Sequence, residues 1–424
     1  MQINKKPTLD WRLLLPIAAT LVLASGLQGC ATPEPTLPAF PTPSRTPPQA
    51  VPTLYPTATA NWPARPWRTP TPLEGPVPSF AQNISYVAAF DDLLLVGDTS
   101  GTITFLDISN PSTPFSLSNT TLERELVSYY GPYKQRVPAR FHGAVLLDDR
   151  LYLLTSTNLL IYDVSDPTAP TQLSRTTLDE GLRDLQIRLP QVRVASLDPA
   201  TGAIILTLLD VSDPTHTISI DELRLHQGGT DILMEADTAY VISVGGPEAQ
   251  DLRLLNIQDF FNPSPLGEVS SLPAFGASVD RSRIYLSTGR MEMSRAVGWY
   301  TAAASVAIVD ISDPTSAHTL GYIWTPSLAS DLFVADRSVF VIGNDEGRSM
   351  HGQFPPELWF NVVNIEDPRR PLLTRSENFV GTAEAIAFAR GYAYIAAGEG
   401  GLHIVSAEAA VLIDTLDAEG LRSE

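Results

Sequence analysis

Cys30 is the only cysteine in 424 residues, so no intrachain disulfide can brace the fold. Charge is sparse, at 18% of residues, and one-sided: 28 Lys and Arg face 47 Asp and Glu, for a formal net charge of −19. No basic run offsets that balance. Nucleic-acid binding, which needs clustered positive surface, is excluded. Local catalytic motifs are also missing. There is no His-Glu-x-x-His, no Gly-x-Ser-x-Gly, no phosphate-binding glycine loop and no Cys/His zinc set. The six histidines (His142, His216, His226, His318, His351, His403) are scattered, with no pair at ligand spacing. No metal and no cofactor is expected. The six tryptophans stand at unrelated positions, with none of the regularity of a repeated docking motif.

The one long apolar run lies near the N-terminus. Lys5, Lys6 and Arg12 precede Leu13 to Leu27, a stretch of about fifteen residues that falls short of the ~20 needed to span a bilayer. Leu27-Gln28-Gly29-Cys30 closes it. These four residues resemble the lipobox of bacterial lipoprotein signal peptides, with Gln28 where that family has a small residue. The resemblance implies cleavage before Cys30, lipidation of Cys30 and anchoring to a membrane. A short transmembrane anchor with an incidental cysteine is the other reading, and both put the bulk of the chain outside the cytoplasm.

From Ala31 to Ser79 the composition changes. Fifteen of the chain's 36 prolines fall here, interleaved with Thr, Ala and Ser. Proline fixes φ and removes donors, so the segment favours extended chain and no packed core. A stalk lifting a domain off a membrane is the reading that follows.

Beyond the stalk one short phrase recurs: Asp107-Ile108-Ser109-Asn110-Pro111, Asp163-Val164-Ser165-Asp166-Pro167, Asp210-Val211-Ser212-Asp213-Pro214 and Asp310-Ile311-Ser312-Asp313-Pro314. Weaker copies are Asn256-Ile257-Gln258 through Asn262-Pro263 and Asn364-Ile365-Glu366-Asp367-Pro368. The intervals are 56, 47, 46, 54 and 54 residues, a period near fifty. Each phrase follows β-rich apolar runs separated by turns, and another run comes after it. Four antiparallel strands per unit describe a β-propeller blade. Units begin near Ile84, His142, Leu185, Ile232, Ala277, Leu332 and Ala385, so the expected fold is all-β: one propeller of seven blades, with six to eight admissible. The units resemble the LVIVD-repeat family, whose core reads like Ala307-Ile308-Val309-Asp310-Ile311-Ser312-Asp313-Pro314. Units two and five match well, one and three fairly, and four, six and seven in outline. The resemblance implies the fold and an extracytoplasmic setting, and almost no chemistry. The expected layout is a signal peptide over 1–29, a linker over 30–79, the propeller over 80–418 and a tail over 419–424.

The Asp-Pro phrases invite a calcium reading, but one turn per blade spreads the carboxylates around a rim instead of gathering six to eight oxygens. Asp107, Pro111, Asp163, Pro167, Asp210, Pro214, Asp310, Pro314 and Pro368 are therefore read as turn formers, with Asp bonding its own backbone and Pro pre-setting φ. Antiparallel alternation places these turns and the short first-to-second hairpins on one face of the ring. All long insertions belong to the other: Asn119 to Arg140, Gly289 to Ala304, and Asn344 to Leu358. They carry Tyr129, Tyr130, Tyr133, Arg136, Arg140, Arg290, Trp299, Tyr300, Arg348 and His351, residue types enriched at binding hot spots. The expectation is a non-enzymatic module that binds a protein or a cell-envelope glycan through this face. The alternative is a hydrolase or lyase acting on an envelope polymer there.

Overall fold

The computed structural model describes residues 83–111, 113–128, 134–199, 201–229, 231–242, 251–270, 274–280, 282–294, 298–335, 337–344, 357–407 and 411–416. Seven four-stranded antiparallel sheets follow one another along the chain, each with its strands in sequence order. Blade 1 runs Ile84–Phe90, Leu93–Asp98, Thr102–Asp107 and Phe115–Thr121. Blade 7 ends the series with Ala385–Ala389, Tyr392–Ala396, Leu402–Ser406 and Val411–Leu416. The protein is a seven-bladed β-propeller.

The second and third strands of each blade are near-continuous apolar runs because both of their faces are covered by neighbouring blades. Leu93–Asp98 is buried throughout, and so are Leu151–Thr155 and Ala203–Leu209. Fourth strands are the more exposed ones, as Leu372–Val380 shows. Seven apolar clusters fill the seven gaps between blades. One of them joins Val87, Leu94 and Ile108 of blade 1 to Tyr394, Leu402 and Ile404 of blade 7, so the ring closes by packing between its first and last blades. Two backbone bonds reinforce that closure, Ile84 N–H to Gly398 O at 3.2 Å and Gly398 N–H to Ile84 O at 3.1 Å. The first strands line the centre, each touching the first strands of both neighbours.

The repeated phrase is a clamp. Its first residue ends the third strand and its second enters the core: Ile108, Val164, Val211, Ile257, Ile311 and Ile365 are all buried. The N–H of that buried residue donates, at 2.8 Å in each case, to a carbonyl in the first-to-second hairpin of its own blade: Asp92, Asp149, Pro190, Asp237, Ser282 and Arg337 in turn. The leading carboxylate accepts the N–H two residues on, as in Asp310 from Ser312 at 2.9 Å and Asp163 from Ser165 at 2.9 Å. Asp313 repeats the device for Thr315 at 3.0 Å, where Pro314 opens a single 3-10 turn. Asp107, Asp163, Asp210 and Asp310 each accept a backbone N–H of their own turn.

A bulge accompanies each clamp. In all seven blades the pairing of third and fourth strands skips one residue. The extra residue is turned off the ladder; Leu117, Leu173, Leu266 and Leu320 thereby pack against the cluster shared with the next blade. Residues just past the bulge meet the following blade's Asp-Pro turn. Ser118 donates to Pro167 O at 2.7 Å, and a Cβ on Gly267 would collide with Pro314 O.

Two insertions expected as loops are ribbons. Gly289 to Ala304 continues the pairing of Arg283–Ser294 with Gly298–Asp310, out to Ser294 opposite Gly298. Within the connection from blade 1 to blade 2, Glu125–Ser128 pairs with Lys134–Val137 as a separate hairpin. Each insert supplies two β-prone stretches that pair with one another across the described residues.

Candidate functional site

The connection from blade 1 to blade 2 stands on the loop-rich face and is fixed there by a buried carboxylate. Glu125, 2% exposed, accepts from Thr155 Oγ1 and, at 2.5 Å, from Asn158 Nδ2 of blade 2. Asn158 Oδ1 in turn accepts from Arg175 Nε at 3.1 Å and Thr177 Oγ1 at 2.9 Å. On the blade 3 side Glu180 accepts from Ser128 N–H at 2.8 Å and Ser128 Oγ at 2.9 Å, and Lys134 Nζ lies 3.6 Å from it. These bonds make the hairpin a fixed wall.

A concavity opens on each side of the wall. The outer one, about 700 Å³, is lined by Arg124, Lys134, Arg136, Arg175 and Arg224 with five carboxylates among them. Most of that charge is spent internally, Arg175 on Glu123 at 2.6 Å and Arg224 on Asp198. The inner one, about 830 Å³, lies toward the ring axis over blades 7, 1, 2 and 3. Ser85, Arg140, His142, Ser156, Glu180 and Glu384 supply its polar lining, and Val127, Val137, Pro138, Phe141 and Pro199 its apolar patches. Glu180 and Pro199 border both, so the two are adjacent.

Bulges shape the inner concavity. The first strands of blades 1, 2, 3, 5 and 6 skip a residue in pairing with the second, at Ser85, His142, Arg183, Phe275 and Ser330. Such bulges at a rim re-aim side chains, and Ser85 and His142 line the concavity. His142 Nε2 sits 3.5 Å from Ser156 Oγ. Burial, then the charges of Arg183 and Arg140, lower its pKa to about 4, so the imidazole is neutral near pH 7. Glu384 is pushed upward by burial, against the opposing charge of Arg140.

Deeper in the channel one structural position recurs, four residues before the close of each first-strand hairpin. Tyr86, Gly143, Asp184, Asp231, Gly276, Asp331 and Ala385 occupy it. The three aspartates each accept the next residue's N–H, at 2.8 to 2.9 Å. Asp184 also takes Met234 N–H at 2.6 Å, and Asp331 takes Ile386 N–H at 3.0 Å, each from the following blade. Surrounding protein raises all three despite these bonds, Asp184 to about 7 and Asp331 to about 6, with the charge of Asp231 adding to both. Tyr86 is raised well above its usual value by burial and by Asp331.

Of the residues expected at a binding face, Arg140 lines the inner concavity and Arg136 the outer, so the hairpin separates them. Arg290, Trp299 and Tyr300 belong to the blade 5 ribbon, opposite Ala303, Met293 and Glu292, away from blades 1 to 3. Tyr129, Tyr130, Tyr133, Arg348 and His351 lie outside the described residues, as does Cys30. Sequence reasoning missed Ser85, Ser156, Glu180, Arg183, Glu384 and the channel aspartates. They are scattered one or two at a time over several blades, so no local motif exists. Superposing the seven units would have revealed polar residues at the start of runs expected to be apolar.

The LVIVD repeat is matched at residues 83–121, 152–177, 300–323 and 380–406. These segments fall in blades 1, 2, 5 and 7; blade 3, expected as a fair match, is not among them, and blade 7, expected to match in outline, is. A protein of Desulfotomaculum acetoxidans described as functionally unknown is similar in structure, with a TM-score of 0.52, 11% identity, and 77% of this chain and 93% of that chain covered. Sqt1 of Saccharomyces cerevisiae gives a TM-score of 0.48 at 8% identity, covering 80% of this chain and 88% of that one. BamB of Moraxella catarrhalis gives 0.42 at 12%, covering 74% and 83%. No curated protein matches the sequence. The likeness at such identities concerns the fold alone. The chain is a seven-bladed β-propeller carrying LVIVD repeats in four of its blades.

Proposed function

We propose that this protein is an extracytoplasmic lipoprotein, anchored through lipidated Cys30 and a proline-rich stalk, whose propeller binds a protein or glycan of the cell envelope on its loop-rich face. The observation that carries the binding role is the hairpin Glu125–Val137, held by a buried carboxylate between two concavities on the one elaborated face. A preformed wall of this kind lowers the ordering cost of association. The anchor rests on the Leu27-Gln28-Gly29-Cys30 sequence. The test is capture from native envelope extract with the full-length chain as bait, beside a variant in which a short Gly-Ser turn replaces 126–136. A partner retained by the first and lost by the second supports the reading; equal capture by both overturns the assignment of the face. Labelled fatty acid should enter the wild-type chain and not Cys30→Ser.

The hydrolytic alternative has one observation behind it, the contact of Ser156 with His142. The depressed basicity of His142 weakens it, since a general base works best with a pKa near the operating pH. Polymer cleavage that disappears in Ser156→Ala would restore it.

A further inference from the structure

Two seams between blades carry the same half-buried cap. Leu122 follows the last strand of blade 1, and Leu178 follows the last strand of blade 2. Each gives its N–H to the second-to-third turn of its own blade, Leu122 to Gly101 O at 2.9 Å and Leu178 to Thr157 O at 2.8 Å. Each then packs its side chain onto the apolar cluster shared with the next blade. The seam between blades 7 and 1 has no such cap among the described residues. Blade 7 ends its last strand at Leu416, and the residue in the equivalent place is Asp417, which offers no apolar group.

This seam borders the inner concavity, and the chain enters the ring there. Asn83, Ile84 and Ser85 of blade 1 line the concavity together with Thr382, Glu384 and Gly398 beside blade 7. Asn83 O accepts Thr99 N–H at 2.9 Å, just as Gly181 O accepts Leu197 N–H at 2.9 Å where blade 3 begins. Asn83 and Gly181 are therefore equivalent positions, each directly before a first strand, Ile84–Phe90 and Leu182–Arg188. Gly181 holds φ at +84°, a region that asparagine enters more readily than most residues other than glycine. Three residues before Gly181 stands Leu178, the cap; three residues before Asn83 stands Phe80. Three residues of chain reach at most about 11 Å, so Phe80 is held near the seam.

We propose that residues 77–82, the foot of the proline-rich segment, dock on the seam between blades 7 and 1, with Phe80 capping it as Leu178 caps the seam between blades 2 and 3. These residues lie outside the described ones, and the occupant is this chain itself. Val77, Phe80 and Ala81 supply the apolar surface, and Pro76 and Pro78 restrict the approach. Tethering makes the contact intramolecular, which raises the effective concentration of the cap. The blade 7 side of the concavity is then covered from within, and an envelope ligand meets the part over blades 2 and 3, where His142, Ser156 and Pro199 stand. The docking itself does not depend on that ligand.

The experiment is hydrogen exchange, read by mass spectrometry, on the full-length chain in detergent. Amides of Phe80, Ala81 and Gln82 should be protected at least about tenfold more than those at 73–75 in the same segment. Phe80→Ser should bring them down to the level of 73–75, and Phe80→Leu should keep most of the protection. Thr238–Ile242 of blade 4, across the ring, should stay protected in every variant. Loss there would make Phe80 a support of the whole ring and would overturn a local cap. Equal rates at 73–75 and 80–82 in the wild type overturn the docking. Protection that survives Phe80→Ser does so too, because backbone pairing alone would give it. Loss of protection in Leu421→Ser and not in Phe80→Ser would hand the seam to the C-terminal tail and overturn the assignment as well.

Discussion

On the turn face, aspartates sit in solvent and serve the backbone; in the channel that opens on the loop-rich face, they sit within protein and face one another. Asp163, Asp210 and Asp310 accept bonds from the residues that follow them, and those bonds lower their pKa values. Asp184, Asp231 and Asp331 accept similar N–H bonds, yet desolvation outweighs the bonds and raises them. The same residue making the same kind of bond titrates in opposite directions, and solvent access decides which term wins. The lesson extends to the two surfaces as wholes. Repetition on the turn face serves the fold, because each turn clamps its own blade. Variation on the loop-rich face is free of that duty, and there the hairpin, the ribbon of blade 5 and the two concavities accumulate.

The largest effect should come from breaking a clamp. Ile311 is 4% exposed and belongs to the cluster between blades 4 and 5, while its N–H is bonded to Ser282 O. Ile311→Ala is expected to destabilise by about 3 kcal/mol, read from the urea midpoint. A loss under about 1 kcal/mol would mean that the phrase is surface punctuation and no part of the core.

A smaller and more local effect should follow on the other face. Glu125→Ala removes the acceptor shared by Thr155 and Asn158, leaving donors in a closed environment. The expected cost is about 1–2 kcal/mol, confined to the hairpin. Amide exchange at 125–128 and 134–137 should accelerate at least about tenfold while the core strands of blade 5 keep their protection. Loss of protection around the whole ring would erase the distinction between a structural face and an elaborated one.

How much of this was legible beforehand divides along the same line. The blades were, because seven copies of one apolar and turn pattern reinforce each other, and even Ala385–Ala389, which lacks the Asp-Pro phrase, kept its strand spacing. The side of the ring on which insertions lie also followed, since it depends only on strand alternation. The inner concavity did not. It is assembled from Ser85, His142, Pro199 and Glu384, single residues from four blades, and the first-strand bulges that direct Ser85 and His142 depend on pairing that no short stretch encodes. Arg140 stands on an insertion and could be named for its residue type, whereas Arg183, which acts on the same imidazole, sits on a strand. His142 read as an isolated strand residue, and only the assembled ring places two guanidinium groups near it.

The smallest expected effect tests the opposite titrations directly. For the channel aspartates the folded pKa is raised, so the stability tied to their neutral form is complete below the ordinary value of 3.8 and is lost as pH rises toward about 6 for Asp331 and about 7 for Asp184. For the turn aspartates the folded pKa is depressed; their contribution is present above the ordinary value and lost as pH falls through the lowered one. The two groups therefore act in separate pH windows. In the paired variant Asp184→Asn with Asp331→Asn, the neutral amide removes the alkaline-side decline, while the constant cost of the lost backbone acceptors shifts the whole curve without changing its slope. Urea unfolding at pH 5 and pH 8 should show a difference between the two conditions smaller by about 1 kcal/mol in the variant, a modest figure because the carboxyls keep part of their surface open to the channel. The acid-side loss, carried by the turns, should be the same in both proteins. An unchanged slope would mean that the channel carboxyls are as well solvated as those of the turns, and the contrast between the two regions would rest on their loops alone.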